Sequence, residues 1–172
     1  MGRNPTIRIF GYGNPSRMDD GVGRYLAPLL ADDLRNAGME AELWLGHQLL
    51  PEACCEIEEG DILIFVDASL EEHPSGFRME RVEPDRSGNL GLNIHSFGPG
   101  WFLALLGDLG PTPSEAWMLS VSGESFDFGE TLTATCRNRA DAGREENVSY
   151  ADFYRTMSAE SLNNKGRSAF SL

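Results

Sequence analysis

The sequence predicts an α/β fold, a layered sheet whose strands are joined by helical crossovers. Two observations favour this class. Short β-rich runs alternate with segments of helical periodicity, and one run, Ile62–Val66, is apolar throughout. A strand without polar positions is typical of the centre of a parallel sheet, where both faces are covered. With 172 residues the chain can form one compact core without disulfides or a structural metal.

The first half of the chain predicts the order strand, helix, strand and short helix. Thr6–Gly11 is a β-rich run that ends in a glycine turn. Ala41–Gly46 alternates like a strand, and Pro51 marks the start of a short helix over Glu52–Glu58. Between the two strands Gly38 is a helix stop, and the residues before it that recur at helical spacing are Val22, Leu26, Leu29, Leu30, Leu34 and Ala37.

The second half predicts two strands with a helix between them. Phe77–Val82 alternates as a strand with one solvated face, Ser96–Leu106 is a helix candidate, and Trp117–Val121 is a further strand. Together with Ile62–Val66, these elements complete the predicted sheet.

The composition changes near residue 130. Residues 1–130 carry 8 basic and 22 acidic residues, whereas residues 131–172 carry 6 and 5. We therefore expect 1–130 to form the α/β domain and 131–172 to be an atypical C-terminal segment. Arg139–Asn147 and the last ten residues are expected to be exposed or disordered. A helix over about 149–162 is predicted by a stripe at helical spacing, which consists of Tyr150, Phe153, Tyr154 and Met157.

Charge and composition exclude several classes of protein. The net charge of −13 disfavours nucleic-acid and anionic-membrane partners, and no apolar run approaches the roughly 20 residues that span a bilayer. Cys54, Cys55 and Cys136 are odd in number and lack C-x-x-C spacing, so disulfides and a zinc or redox site are not expected. These features predict a cytoplasmic protein.

Scarce residue types remove common enzyme chemistries. Lys165, near the C-terminus, is the one lysine, so neither a phosphate-binding G-x-x-x-x-G-K-[ST] loop nor a Schiff-base lysine in a folded cleft is expected. The histidines are His47, His73 and His95, and none forms an H-E-x-x-H motif. His73 is expected in a solvated loop, whereas His47 follows a strand and is a candidate for the site edge. No G-x-S-x-G elbow occurs.

Polar side chains follow predicted strands where ligands gather in open parallel sheets. Asp19 and Asp20 follow the first strand, Asp67 ends the central strand, and His95 opens the predicted helix Ser96–Leu106. We expect two carboxylates and one imidazole to converge there. Structural roles stay open for each residue taken alone: a helix cap for the first pair, loop hydrogen bonds for Asp67, and a helix-entry position for His95.

The first turn, Gly11–Ser16, is a weak match to a dinucleotide-binding loop. Ser16 stands where G-x-G-x-x-G requires its third glycine, and the acidic pair at the helix entrance would repel a pyrophosphate. We therefore expect no nucleotide cofactor.

The run Gly11–Gly23 resembles the G-x-G-N-x-x-x-x-D-[DE]-x-x-G signature of the nickel–iron hydrogenase maturation endopeptidases. His47–Glu52 (HQLLPE) is similar to a segment of many members, and Phe65–Ala68 (FVDA) resembles the family's strand ending in Asp-Ala. His95, followed by an apolar helix, resembles the metal-ligand histidine. Order and spacing agree over roughly residues 5–130.

The resemblance implies an α/β/α sandwich around a twisted, mostly parallel five-stranded sheet, of the phosphorylase/hydrolase-like type. It implies an endopeptidase that removes a C-terminal extension from the hydrogenase large-subunit precursor after nickel insertion. The catalytic and metal-binding residues map onto Asp20, Asp67 and His95, with Asp19, Asn14 and Gly13 in supporting positions. The nickel is expected to be carried by the precursor, and zinc or another divalent ion is expected to suit the isolated protein.

The C-terminal segment departs from the family pattern. Members end in a long apolar helix that covers one face of the sheet, whereas Leu132–Arg139 is thin and basic. We expect either that Tyr150–Met157 substitutes for this helix or that the face is partly uncovered. The alternative functions are a non-catalytic metal-dependent binding module, or degenerate paralogue, of the same fold, and a nucleotide-dependent α/β enzyme.

Overall fold

A computed structural model describes residues 4–87 and 97–147. Its strands are β1 Ile7–Tyr12, β2 Ala41–Gly46, β3 Ile62–Ser69, β4 Phe77–Arg81 and β5 Glu115–Ser122. Its helices are α1 Val22–Asn36, α2 Pro99–Leu109 and a third helix, α3, over 134–147. Two short 3-10 helices, Met18–Gly21 and Pro51–Glu56, follow β1 and β2. None of the helices in these two ranges is long and apolar enough to cross a bilayer.

The five strands form one sheet in the order β2-β1-β3-β5-β4. Strands β2, β1, β3 and β5 are parallel, and β4 pairs antiparallel with β5 at the edge. Residues of α1 and α3 join the core cluster on one face, whereas residues of α2 and the second 3-10 helix join the cluster on the other. This arrangement confirms the predicted α/β/α sandwich with a mostly parallel five-stranded sheet.

Strand β3 is central because both of its faces are apolar. Leu63 and Phe65 pack into the α2-side cluster, and Ile64 and Val66 pack into the α1-side cluster. The Phe65 ring lies with its centroid 5.1 Å from that of Phe10 and 5.5 Å from that of Phe102. These rings fix β1, β3 and α2 together on the face that also carries the candidate site.

Two glycines let α1 contact the sheet backbone to backbone. A Cβ at Gly11 would lie 2.4 Å from the Gly23 carbonyl oxygen. A Cβ at Gly23 would lie 2.3 Å from the Val66 oxygen and 2.4 Å from the Tyr12 oxygen. Real Cβ atoms do not approach backbone oxygens this closely, so only glycine permits the contact. The glycines that begin and end the signature therefore place the start of α1 against the ends of β1 and β3.

The C-terminal segment corrects one prediction. Arg139–Asn147 is not exposed or disordered chain, because residues 134–147 are helical. Cys136 and Ala140 belong to the same buried cluster as β1 and β3, and the Arg144 guanidinium donates two hydrogen bonds to the Asp33 carboxylate of α1. The face that was expected either to be covered by Tyr150–Met157 or to be partly uncovered is therefore packed against α3. The predicted helix over 149–162 lies outside the described residues.

This helix was missed because its buried positions are small. Cys136, Ala140 and Gly143 face the sheet, and a Cβ at Gly143 would already lie 3.2 Å from the Phe77 ring. Small residues allow close packing but give a weak apolar periodicity in the sequence. The short helix predicted over Glu52–Glu58 is a 3-10 helix that begins at Pro51.

The Gly23 contact predicts a large loss of stability for Gly23→Ala. The added methyl group must displace α1 from two backbone oxygens, so we expect the free energy of unfolding to fall by about 3 kcal/mol in urea denaturation followed by circular dichroism. Gly107→Ala is the matched control, because Gly107 is also helical and, among the residues that the structure describes, its new methyl would meet the end of the Arg86 side chain at 3.0 Å. The free energy of unfolding of this control is expected to rise by about 0.5–1 kcal/mol. Equal stability of the Gly23 variant and the wild type would contradict the close packing described here.

Candidate active site

A pocket of about 170 Å³ opens at the carboxyl ends of β1, β2 and β3. This is the edge where open parallel sheets bind ligands. Neither arginine nor lysine is among the described residues that line it, which are Tyr12, Gly13, Asp20, His47, Gln48, Leu49, Asp67 and Phe97. Two carboxylates, one imidazole and one amide are thus among the side chains that line this pocket.

Asp67 lies on the inner rim of this pocket. Its side chain follows Leu63 and Phe65 on the α2 face of β3, and its neighbour in register on β5 is Ser120. Burial raises the pKa of Asp67 to about 7, although its Oδ1 accepts a hydrogen bond from the Ala68 N–H at 2.8 Å, and the nearby charge of Asp20 adds to the increase. The ionised carboxylate is therefore unstable here without a positive partner.

Asp20 is held on the opposite side by the turn after β1. The backbone N–H of Asn14 donates a hydrogen bond to Asp20 Oδ2 at 2.8 Å. Gly13 has φ of 136° and lies against the Asp20 backbone, where a Cβ would come within 1.8 Å of the Asp20 oxygen. The Asn14 side chain accepts a bond from the Ser16 N–H at 2.9 Å and closes the turn. Gly13 and Asn14 thus shape the turn that positions Asp20.

Asp19 faces away from the pocket and anchors the same turn. Its carboxylate is fully buried and accepts hydrogen bonds from the N–H groups of Glu124, Ser125 and Thr133 and from the Thr133 hydroxyl, at 2.7 to 3.0 Å. Burial opposes its ionisation, but these donors outweigh burial and lower the pKa of Asp19. Asp19 is therefore an anchor that ties the turn to the segment after β5.

The turn is strained next to this anchor. Among the described residues other than glycine, Met18 alone has a positive φ, 44°. Its N–H donates to the Gly129 oxygen at 2.9 Å, and the Gly129 N–H donates to the Ser16 oxygen at 3.0 Å. Such strain persists only where the surroundings over-determine the backbone. The bonds of Asp19 and Gly129 supply that constraint and fix Asp20 beside Asp67.

The histidines behave differently from one another. His47 lines the pocket, as its position after β2 predicted. His73 was predicted to be solvated, but this is wrong: it is 7% exposed, and its Nε2 lies 3.0 Å from Ser120 Oγ. His95 lies outside the described residues. Within the described ranges no three His, Cys, Asp or Glu side chains are grouped closely enough to hold a metal ion.

Sequence reasoning missed Tyr12 as a pocket residue. The register pairs Phe10 with Phe65 and Gly11 with Val66, so the next step places Tyr12 beside Asp67 on the same face. This signal was available once β1 and β3 were recognised as parallel neighbours. The cysteines lie outside the pocket lining, and burial, together with the charge of Asp19, raises the pKa of the Cys136 thiol to about 12, so it is unreactive.

The fold is similar to solved structures of hydrogenase maturation endopeptidases. The HybD endopeptidase from E. coli superposes with a TM-score of 0.63 and 20% identity, covering 87% of this chain and 93% of the other. HybD from Thermococcus kodakarensis superposes with a TM-score of 0.58 and 20% identity, covering 85% of this chain and 99% of the other. HycI from Thermococcus kodakarensis KOD1 superposes with a TM-score of 0.58 and 21% identity, covering 86% of this chain and 92% of the other. No family model matches the sequence, and no curated protein matches it. The resemblance expected from the signature is thus confirmed at the level of fold.

The burial of Asp67 predicts that Asp67→Asn stabilises the chain when divalent ions are removed with a chelator. The pKa of Asp67 is raised on folding from 3.8 to about 7, so stability is lost as pH rises through this window and the loss is complete above it. At pH 8 the free energy of unfolding of the variant should exceed that of the wild type by about 2–4 kcal/mol, and near pH 4 the two free energies should converge. Asp32→Asn, at an exposed position of α1, is the control and should change stability little at either pH. A destabilised Asp67 variant at pH 8 would contradict the repulsive environment.

The hydrogen bonds of Asp19 predict a large loss of stability for Asp19→Asn. The amide NH₂ of asparagine would face N–H donors, so we expect the free energy of unfolding at pH 7 to fall by about 2–4 kcal/mol in thermal or urea denaturation. The neighbouring variant Asp20→Asn is the control, since its carboxylate accepts a single described bond from Asn14, and it should change stability by less than about 1 kcal/mol. Equal effects at the two positions would argue against the anchor.

Proposed function

We propose that this chain is a processing endopeptidase that removes a C-terminal extension from the nickel-loaded precursor of a hydrogenase large subunit. One observation carries the proposal. Asp20 and Asp67, far apart in sequence, line one pocket at the sheet edge of a fold similar to that of the maturation endopeptidases. The signature from Gly11 to Gly23 builds this pocket, because its glycines set the helix against the strands and its Asn14 binds Asp20.

The donor set of the pocket suits a divalent cation. Two carboxylates share one space without an arginine or lysine among the described lining residues, and Asp67 resists ionisation there. A cation would relieve both the burial of Asp67 and its repulsion from Asp20. Oxygen ligands combined with an imidazole suit nickel, zinc or similar ions.

We propose that the ion recognised in the reaction arrives with the substrate. Asp20, Asp67 and His95 would be the protein's ligands, and three protein ligands leave coordination positions open for ligands that the precursor supplies. A precursor without nickel presents no positive charge to the two carboxylates. Cleavage would therefore depend on completed metal insertion. In the isolated protein, zinc or another divalent ion would bind the same groups.

The chain's own residues then hold the substrate for hydrolysis. The Asn14 N–H fixes Asp20, the anchor at Asp19 fixes the turn, and His47 and Gln48 border the pocket on the side of β2. With the metal seated between Asp20 and Asp67, the extension would lie across the pocket mouth. Orientation of this kind converts a slow bimolecular hydrolysis into a reaction between groups already in place.

Two structural observations argue against the alternative functions, a non-catalytic binding module and a nucleotide-dependent enzyme. A non-catalytic module was considered because the C-terminal segment departs from the family pattern, but α3 of that segment packs on the sheet. A nucleotide-binding enzyme would need the backbone N–H groups of the first turn for a phosphate. Those of Asn14 and Ser16 are bonded to Asp20 and to the Asn14 side chain instead.

The proposal predicts that Asp20→Asn, Asp67→Asn and His95→Ala each lower the rate of precursor processing by at least about 100-fold, because each removes a ligand of the recognised ion. Mass spectrometry of a panel of nickel-loaded large-subunit precursors, each mixed with wild type or variant, measures the loss of the extension. Asp32→Asn is the matched carboxylate control, since Asp32 is exposed on α1, and should process at the wild-type rate. Undiminished processing by the Asp20 and Asp67 variants, or equal processing of nickel-free precursor, would overturn the proposal.

A further inference from the structure

Tyr12 occupies a distinctive place in the pocket. It ends β1, pairs with Gly46 of β2, and in the β1–β3 register stands one step past the pair Gly11 and Val66. That step puts its ring beside Asp67 on the α2 face, in line with Phe10. Gly46 has no side chain, and the Trp44 ring of β2 lies over it, since a Cβ at Gly46 would come within 2.4 Å of that ring.

Tyr12 lines the pocket, and its hydroxyl is unpaired within the described residues. The residue is 7% exposed and lines the space between Asp20 and Asp67, yet its hydroxyl has no hydrogen-bond partner among the described residues. In the described ranges, no side-chain nitrogen or oxygen that is sealed from solvent lacks a partner. The unpaired hydroxyl is therefore open to solvent, and the pocket that Tyr12 lines is the space we assign to it.

The peptide hydrolysis proposed for this pocket would be accelerated by a donor of this kind. Water adds to the scissile carbonyl carbon, and the carbonyl π electrons move to oxygen as an oxyanion. Collapse then re-forms the carbonyl, breaks the C–N bond and leaves one proton of the attacking water on the amine. A preorganised hydrogen-bond donor stabilises the negative charge that develops on this oxygen in the transition state and therefore lowers the barrier.

Of the donors that line the pocket, Tyr12 is the most rigidly held. His47 and Gln48 lie exposed in the loop after β2. Tyr12 lies on a strand, and its ring belongs to the buried cluster that contains Phe10 and Phe65. A fixed donor needs little reorganisation during the reaction. A phenol is protonated at neutral pH, so it is available as a donor.

Resting on the proposed function, we propose that the Tyr12 hydroxyl donates a hydrogen bond to the oxyanion that forms from the scissile carbonyl group of the precursor. Tyr12 is then a catalytic residue that the sequence signature does not specify, since it fills a variable position between Gly11 and Gly13.

Tyr12→Phe tests this role, because it removes the hydroxyl and keeps the ring in the core. We expect kcat for a precursor that the wild type processes to fall about 100-fold, as for loss of one oxyanion donor. KM, the Kd for the nickel-loaded precursor and the melting temperature should stay at their wild-type values. Tyr25→Phe is the control, since the Tyr25 hydroxyl donates a hydrogen bond to Asp141 at 3.3 Å and does not line this pocket. The kcat of Tyr25→Phe should equal that of the wild type.

The outcomes separate the two proposals. Wild-type kcat in Tyr12→Phe, or a rise in KM alone, overturns the role of Tyr12 and leaves the endopeptidase proposal intact. Failure of the wild type to shorten any nickel-loaded precursor overturns both. If Tyr12→Phe melts at a lower temperature than the wild type, Tyr12→Leu is the second test. If the hydroxyl is the catalytic group, kcat of the folded fraction of Tyr12→Leu should fall at least as far as kcat of Tyr12→Phe. A kcat of Tyr12→Leu above that of Tyr12→Phe would overturn the role of the hydroxyl.

Discussion

The contact between the start of α1 and the ends of β1 and β3 determines the rest of the structure. Gly23 lies between the carbonyl oxygens of Tyr12 and Val66, and Gly11 lies under the Gly23 oxygen. Backbone meets backbone, so neither helix nor strand can shift without a clash. Asp20, three residues before Gly23, is thereby carried to the edge at which β3 presents Asp67. The spacing of the signature follows from close packing as much as from chemistry.

Asp19 and Asp67 have the same side chain, but the structure lowers the pKa of the first and raises that of the second. Asp19 is fully buried, yet its hydrogen bonds stabilise the anion, whereas Asp67 is partly buried, accepts a single described hydrogen bond and faces the charge of Asp20. Burial alone does not decide the state of a carboxylate; the donors that accompany burial do. The arrangement separates the two tasks, since one acid stabilises the fold and the other remains electrostatically unsatisfied. Unsatisfied groups of this kind are common where activity opposes stability.

Local patterns in the sequence were enough to predict β1, α1, β3 and the sheet class, because each has a strong apolar period or a glycine boundary. The topological rule for parallel sheets brought Asp20 and Asp67 together without any knowledge of distances. The predictions failed where partners are remote or weakly patterned. Helix α3 buries small residues, His73 is enclosed by Ser120 from another strand, and the donors to Asp19 lie more than 100 residues away. None of these leaves a periodic trace in the chain.

The anchor at Asp19 also has a consequence for biosynthesis. The turn that shapes the site leaves the ribosome more than 100 residues before Glu124, Ser125 and Thr133, which hold Asp19 in place. Until those groups emerge, the Asp19 carboxylate remains in water and the strained backbone at Met18 has nothing to hold it. A nascent chain therefore cannot display the finished cleft early, and a polypeptide halted before Thr133 would carry both acidic side chains of the pocket without the geometry that pairs them.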